Sequence, residues 1–220
     1  MPDASRPETR GEKARRLAIF AVQFEQAMWR SLYRWVFRRR RKLEPDGTAF
    51  GYTGTTMPVL LAFIGVSAIE IPILHWLLPW RTVQIISLVI GGYGLLWMLG
   101  LLASLRVHPH VVGPDGLRIR SGALLDMTIP WEYIAEVRPR NRTMPSRPAQ
   151  RFETTPTGEV LHLVVMSQTH VDVVFRGPTT VPLPKGESPP LSQLRIAVDN
   201  PGGLVAAARP YVDDAALASK

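Results

Sequence analysis

The chain has no cysteine among its 220 residues, which excludes disulfides, thiolate metal sites and cysteine nucleophiles. Charge is also missing where a soluble domain would need it. Residues 57–105 hold only Glu70 and Arg81, whereas residues 1–56 hold 12 basic and 6 acidic side chains. Residues 106–220 hold 13 basic and 11 acidic side chains. A nearly uncharged stretch of 49 residues between two charged ones excludes a single ordinary soluble domain. No Gly-x-Ser-x-Gly, His-Glu-x-x-His, P-loop or Gly-x-Gly-x-x-Gly pattern occurs, so no hydrolase elbow, zinc helix or nucleotide cradle can be read. Lysine is scarce, 4 against 22 arginines, a bias associated with GC-rich genomes, many of them bacterial.

What is present begins with a polar tail. Residues 1–12 carry two prolines and no apolar run, so they read as disordered and not as a signal peptide. Residues 13–42 contain neither proline nor glycine and predict a basic amphipathic helix. Arg16, Gln23, Gln26, Arg30 and Arg34 recur at helical spacing as one polar stripe, and apolar residues cover most of the remainder. That pattern suits a helix lying on a bilayer surface or packed on a neighbouring domain. The helix ends in Arg38, Arg39, Arg40, Arg41 and Lys42, followed by the turn residues Glu44-Pro45-Asp46-Gly47. Next to an apolar span, this basic run is a membrane-surface anchor to anionic lipids and not a nucleic-acid site.

Two apolar runs follow, 58–78 and 83–105. At helical rise they reach roughly 32 and 35 Å, enough to cross a hydrocarbon core of about 30 Å. Only Pro79-Trp80-Arg81-Thr82 separates them, so 57–105 predicts an antiparallel transmembrane hairpin. Trp76 and Trp80 stand where an interfacial aromatic belt would be. The basic flanks lie outside both runs and the tip offers Arg81 alone. The positive-inside rule therefore puts both termini in the cytoplasm of a bacterial plasma membrane.

After Arg106 the periodicity becomes two. Leu117 and Ile119 alternate with Arg118 and Arg120, and Met127 and Ile129 with Asp126 and Thr128. Leu161, Leu163 and Val165 share a face, as do Val171, Val173 and Phe175, and Leu194, Ile196 and Val198. Turn residues punctuate these runs, so they predict about seven half-buried antiparallel strands. Asn200-Pro201 reads as an N-cap with proline at the first helical position, opening a helix to about Tyr211. Residues 139–158 show no periodicity and read as a long mobile loop.

Two segments carry a family resemblance. Residues 108–137 run through Gly113-Pro114-Asp115-Gly116-Leu117-Arg118-Ile119-Arg120, then Pro130-Trp131-Glu132-Tyr133-Ile134, and end a strand at Val137. Arg195 to Pro201 followed by Leu204-Val205-Ala206-Ala207 forms a last strand and helix. Together they resemble bacterial PH-like domains, which in actinobacterial membrane proteins often follow two transmembrane helices. The resemblance covers about half the chain. It implies an α+β membrane protein: an N-terminal amphipathic helix, a two-helix transmembrane hairpin, and a PH-like partly open β-barrel at 106–215 with a capping helix. It implies no catalytic residues and no cofactor.

Individual residues add little chemistry. His108 and His110 are two apart and would share a strand face, but no third ligand completes a metal site. Gly91-Gly92-Tyr93-Gly94 lies in apolar surroundings and reads as a close-packing device. Glu70 is the most unusual residue, because an ionised carboxylate near mid-membrane costs a few kcal/mol. Folding the hairpin back puts Glu70 level with Gly91–Tyr93, so the Tyr93 hydroxyl is the expected donor, with Ser67 one turn earlier on the same face. The arginines of 138–151 read as a membrane-facing surface. The acid at the tip of Pro114-Asp115-Gly116 counts against inositol phosphate binding there. The expected function is a membrane-anchored, non-catalytic module that meets the lipid bilayer and a protein partner or a second copy of itself, with no nucleic acid. The alternative is an accessory subunit of a transporter or envelope-assembly complex in which Glu70 acts within the bilayer.

Overall fold

The computed structural model describes residues 10–37, 47–54, 56–122, 125–143, 150–165, 167–184 and 186–218. The chain is α+β, with four helices among the described residues. Helix α1 (Arg10–Val36) is followed by a short strand β1 (Thr48–Phe50). Helices α2 (Thr56–Leu77) and α3 (Arg81–Val107) are both long and apolar enough to cross a membrane. Leu78–Trp80 joins them, and the Gln84 amide closes the turn by donating to the carbonyls of His75 at 2.9 Å and Leu78 at 2.7 Å. These are two of the carbonyls that a helix C-terminus leaves without a partner.

The remaining chain folds into sheets. Strands β2 (His110–Gly113), β3 (Gly116–Ser121) and β4 (Leu125–Ile129) form an antiparallel meander, and β1 joins its free side to give the order β1-β2-β3-β4. A single 3₁₀ turn, Trp131–Tyr133, leads into β5 (Ile134–Thr143). Strands β6 (Gln150–Thr155), β7 (Gly158–Leu163), β8 (Gln168–Thr179) and β11 (Leu191–Ile196) complete a five-stranded sheet in the order β5-β8-β11-β7-β6. A two-stranded ribbon, β9 (Pro182–Leu183) and β10 (Gly186–Glu187), lies between β8 and β11. Helix α4 (Pro201–Ala218) ends the described chain.

One apolar core is shared by both sheets and α4. Leu117 and Ile119 of β3, Ile134 of β5, Leu161 of β7, Val173 of β8, Leu194 and Ile196 of β11 and Leu204 of α4 are all fully buried in it. Trp131 locks three pieces together. Its indole donates to the Gly113 carbonyl at 2.9 Å, and its ring stacks on Tyr211 of α4 with centroids 5.2 Å apart and planes 7° from parallel. Gly116 explains the hairpin glycine: its φ is +144°, and a Cβ there would lie 2.3 Å from the Ile129 carbonyl oxygen. The Asn200 side chain accepts from the Gly203 amide at 2.9 Å, so the expected N-cap of α4 forms.

Several expectations need correcting. Segment 139–158 is not a loop. β5 runs to Thr143, and β6 and β7 form a hairpin with Thr155 opposite Gly158; 144–149 lies outside the described residues. The alternation of β6 (Arg151, Phe152, Glu153, Thr154) is hidden because both of its faces are polar or half-exposed. The strands are not all antiparallel: β11 pairs parallel to β7 and antiparallel to β8, wedged between two strands that follow each other in sequence. Val171–Phe175 of β8 is therefore internal, and the edges of this sheet are β5 and β6. Strand β1 has no counterpart in the sequence reading. Arg10–Glu12, expected in the tail, open α1, and α4 continues seven residues past Tyr211. His108 is the C-cap of α3 and His110 starts β2, so the two do not share a strand face.

Candidate functional site

The hairpin carries one acid, Glu70, in the apolar segment 57–105. Glu70 and Ser67 of α2 face Ser87, Gly91 and Gly94 of α3 across a groove of about 310 Å³. A Cβ on Gly91 would lie 2.8 Å from Ile71 Cγ1, so this glycine lets the helices approach. Gly92 and Gly94 have open space instead. Glu70 makes no hydrogen bond or ion pair with the described residues.

Tyr93 does not serve Glu70. It lies two residues past Gly91, about 200° around the helix, and so faces away from α2. Its hydroxyl donates to Glu25 Oε1 of α1 at 2.5 Å, and its ring packs on Trp29. Helix α1 rests on α3 through its second half: Met28 is buried over Gly100, and Phe24 packs on Trp97. Its first half stands clear, with Leu17 and Val22 more than half exposed. Gln23, Gln26 and Arg30 of the polar stripe are exposed as expected, and the Arg30 guanidinium donates to Gln26 Oε1 at 3.5 Å. The Arg16 side chain and the anchor Arg38, Arg39, Arg40, Arg41 and Lys42 lie outside the described residues.

A polar junction ties the hairpin to the sheets. Asp199, just after β11, accepts from the amides of Thr53 at 3.1 Å and Gly54 at 2.7 Å in the segment that enters α2. Its own amide donates to the Gly51 carbonyl at 2.8 Å. Tyr52 packs at a tilt of 34° on His110, with centroids 4.8 Å apart, and its hydroxyl accepts from the Gly122 amide at 2.8 Å. Burial raises the Tyr52 phenol to about 12, against the lowering effects of that amide and of Arg120. His110 is buried between a donor and an acceptor: Nδ1 accepts from the Arg120 amide and Nε2 donates to the Ala197 carbonyl, each at 3.1 Å. Burial lowers its pKa to about 4, overriding the Ala197 carbonyl and Asp199, which favour the cation. Both ring nitrogens are thus committed to structure. His108 is likewise structural, with Nδ1 2.8 Å from the Ser104 carbonyl.

A third cluster crosses the five-stranded sheet. The register aligns Arg138 of β5, Asp172 of β8, Arg195 of β11, His162 of β7 and Arg151 of β6 in one row. Asp172 and His162 are fully buried and Arg195 nearly so. Three guanidiniums reach the single Asp172 carboxylate, at 3.5 Å from Arg142, 3.6 Å from Arg195 and 3.8 Å from Arg138. Glu153 takes His162 Nε2 at 2.7 Å and Arg195 at 3.3 Å. Burial lowers the His162 pKa and Arg195 reinforces this, so the ring is neutral near pH 7 with its proton on the nitrogen facing Glu153. By contrast, Arg118 closes on Asp126 with two bonds of 2.7 and 2.9 Å. Burial alone would raise the Asp126 carboxyl, but Arg118 and Arg120 outweigh it and hold it at about 2.

No protein-family pattern, curated protein or solved structure matches the chain. The site residues are therefore judged on geometry alone. Ser67 and Glu70 share a groove, Tyr93 belongs to the α1 contact, and no group of three metal-ligating side chains exists among the described residues. Asp199 and the Asp172 row were missed in the sequence. The available signal was an acid or arginine inside an apolar strand run, as in Val171-Asp172-Val173 and Leu194-Arg195-Ile196.

Proposed function

We propose that this chain is a membrane-anchored, non-catalytic interaction module. In this reading α2 and α3 cross a bacterial plasma membrane, and the two sheets with α4 form a PH-like, partly open barrel offered on the cytoplasmic side to a protein partner or the membrane face. The observation that carries it is the exposure of the hairpin: only 6% of the most apolar window of α2 and 11% of that of α3 is buried. A soluble core helix is covered by protein, whereas these helices present Phe63, Val66, Ile69, Val89 and Ile90 outward. Topology supports the sidedness. The chain enters α2 from β1 and leaves α3 into β2, and β1 pairs with β2, so both hairpin ends stay with the sheets. The sheet edge suited to backbone pairing with a partner is β6, whose outer side has no strand neighbour among the described residues and which exposes Phe152. Extraction of the full chain in mild detergent should recover one specific protein, and a proline at Thr154 should abolish that recovery. Recovery unaffected by Thr154→Pro would move the partner site off β6, and turnover of a small substrate by the purified chain would replace this reading with an enzyme.

A second reading is favoured by the groove at Glu70, where two serines and a carboxyl have no partner among the described residues. There the chain is an accessory subunit of a transporter or envelope-assembly complex, and Glu70 meets a polar group of a neighbouring helix. Glu70→Gln separates the two, because it keeps shape and most hydrogen bonding. Normal folding with loss of activity of the assembly would favour the second reading.

A further inference from the structure

The buried row on the five-stranded sheet is short of hydrogen-bond acceptors. Eight buried side-chain nitrogen or oxygen atoms among the described residues have no hydrogen-bond partner, and seven of them fall in this cluster. Four of the seven can only donate: Nε of Arg138, Arg142 and Arg195, and the Gln193 amide nitrogen. The Thr169 hydroxyl can donate as well, leaving as acceptors Asp172 Oδ1, whose nearest donor is Arg195 Nε at 3.6 Å, and His162 Nδ1. Buried polar groups in native proteins are almost always paired, so a cluster of unpaired ones calls for an explanation, and a bound water or ion is one. The distances agree. Every guanidinium–carboxylate contact in the row measures 3.3 Å or more, while the Arg118–Asp126 pair in the same protein closes to 2.7 Å. Arg138, Arg142 and Arg195 share one buried acid, and the two partly exposed carboxylates nearby, Glu136 at 3.4 Å from Arg138 and Glu153 at 3.3 Å from Arg195, also stay outside the ordinary charge-assisted length of about 2.7–2.9 Å. The cluster is also open on one side, because the Arg138 and Arg142 side chains are 41% and 28% exposed while Asp172 is sealed beneath them.

We propose that Arg138, Arg142 and Arg195 form an oxyanion site of the phosphate type at the β5–β8 side of this sheet, with Asp172 holding the guanidiniums in position. A tetrahedral oxyanion supplies the missing acceptors without adding donors, and guanidinium forks match its geometry. The oxyanion is free phosphate or the phosphate of a lipid headgroup. The proposal does not depend on α2 and α3 crossing a bilayer.

The test uses the full chain in neutral detergent, titrated with sodium phosphate against sodium chloride at matched ionic strength. Phosphate should raise the melting temperature saturably and chloride should not. Arg142→Gln should weaken the phosphate response roughly tenfold or more, the loss of one charge-assisted bond. Arg176→Gln, an exposed arginine of β8 outside the cluster, should leave it unchanged. Should Arg142→Gln fail to fold, Arg138→Gln, at the more exposed guanidinium, repeats the measurement. Transfer to phosphatidylcholine discs with and without phosphatidic acid separates the sources. A headgroup ligand raises the melting temperature without free phosphate and erases the titration, whereas a free-ion ligand leaves the titration intact in both discs. A phosphate response no larger than that of chloride, or one unchanged in both arginine variants, would overturn the proposal.

Discussion

Leucine, isoleucine and valine build both the hairpin and the sheets, yet they meet opposite surroundings. In the sheets, Leu117, Ile119, Leu194 and Ile196 are fully covered by neighbouring side chains. In α2 no residue is buried, and Val66 and Ile69 are each 62% exposed. Hydrophobic composition therefore does not say which surface a residue packs on. In the sheets the protein supplies it, while along α2 and much of α3 the described residues do not, and both helices are long and apolar enough to cross a membrane.

The largest effects should fall on the sheet side of this contrast. Leu194→Ala, fully buried, should destabilise the fold by about 2–5 kcal/mol in detergent denaturation. Ile69→Ala should stay within about 0.5 kcal/mol under the same conditions. A comparable loss at both positions would mean that α2 packs on protein and would erase the contrast.

Acid should act on the sheets and their junction alone. His110 has a pKa of about 4 in the fold against 6.5 when unfolded, so its neutral form is the folded one. The stability it confers is complete above pH 6.5 and is lost as pH falls towards 4. The loss approaches about 3 kcal/mol for a shift of this size. The lowered pKa of His162 works in the same direction. Asp126, lowered from 3.8 to about 2, adds a further loss below pH 4. Denaturation across pH 7 to 4 should show this slope, and His110→Gln should flatten it. An unaltered slope would assign the acid sensitivity elsewhere.

Next in size is the junction. Asp199→Ala removes the acceptor of two amides and should cost about 2 kcal/mol. Faster hydrogen exchange at the Thr53 and Gly54 amides, with β11 unaffected, would show that the segment entering α2 has been released. Smallest, and confined to the hairpin, is a pair of glycines. Gly92→Ala meets open space and should stabilise α3 by up to about 1 kcal/mol, whereas Gly91→Ala runs into Ile71 and should not. Equal effects would remove the close approach at Gly91.

How far the sequence carried the description follows from the same contrast. The two apolar helices were placed to within two residues at each end, because a long uncharged run has few alternative explanations. The β2–β3 hairpin and the cap of α4 were legible from Gly116 and Asn200, whose backbone roles are local. Strand β6 was not legible, because half-exposed polar residues leave no period to read. The parallel placement of β11 was not legible either, since it depends on β11 wedging between β7 and β8, partners distant in sequence. At the candidate site, Glu70 and Ser67 line one groove, in keeping with their helical spacing, whereas Tyr93 bonds Glu25 of α1, because levelling residues along a hairpin ignores rotation about its axis. The row at Asp172 needs the register of five strands before its arginines converge.

The most direct test of membrane anchoring exploits the absence of cysteine. Single cysteines at Val66, Val89, Thr82 and Leu217 all stand on exposed positions of the fold, so protein packing shields none of them. In intact cells, a membrane-impermeant thiol reagent should label Thr82→Cys at the hairpin tip. It should label Leu217→Cys only after permeabilisation, and Val66→Cys and Val89→Cys under neither condition. Labelling of Val66→Cys and Val89→Cys as fast as Leu217→Cys would contradict the account, because water and not lipid would then cover the hairpin.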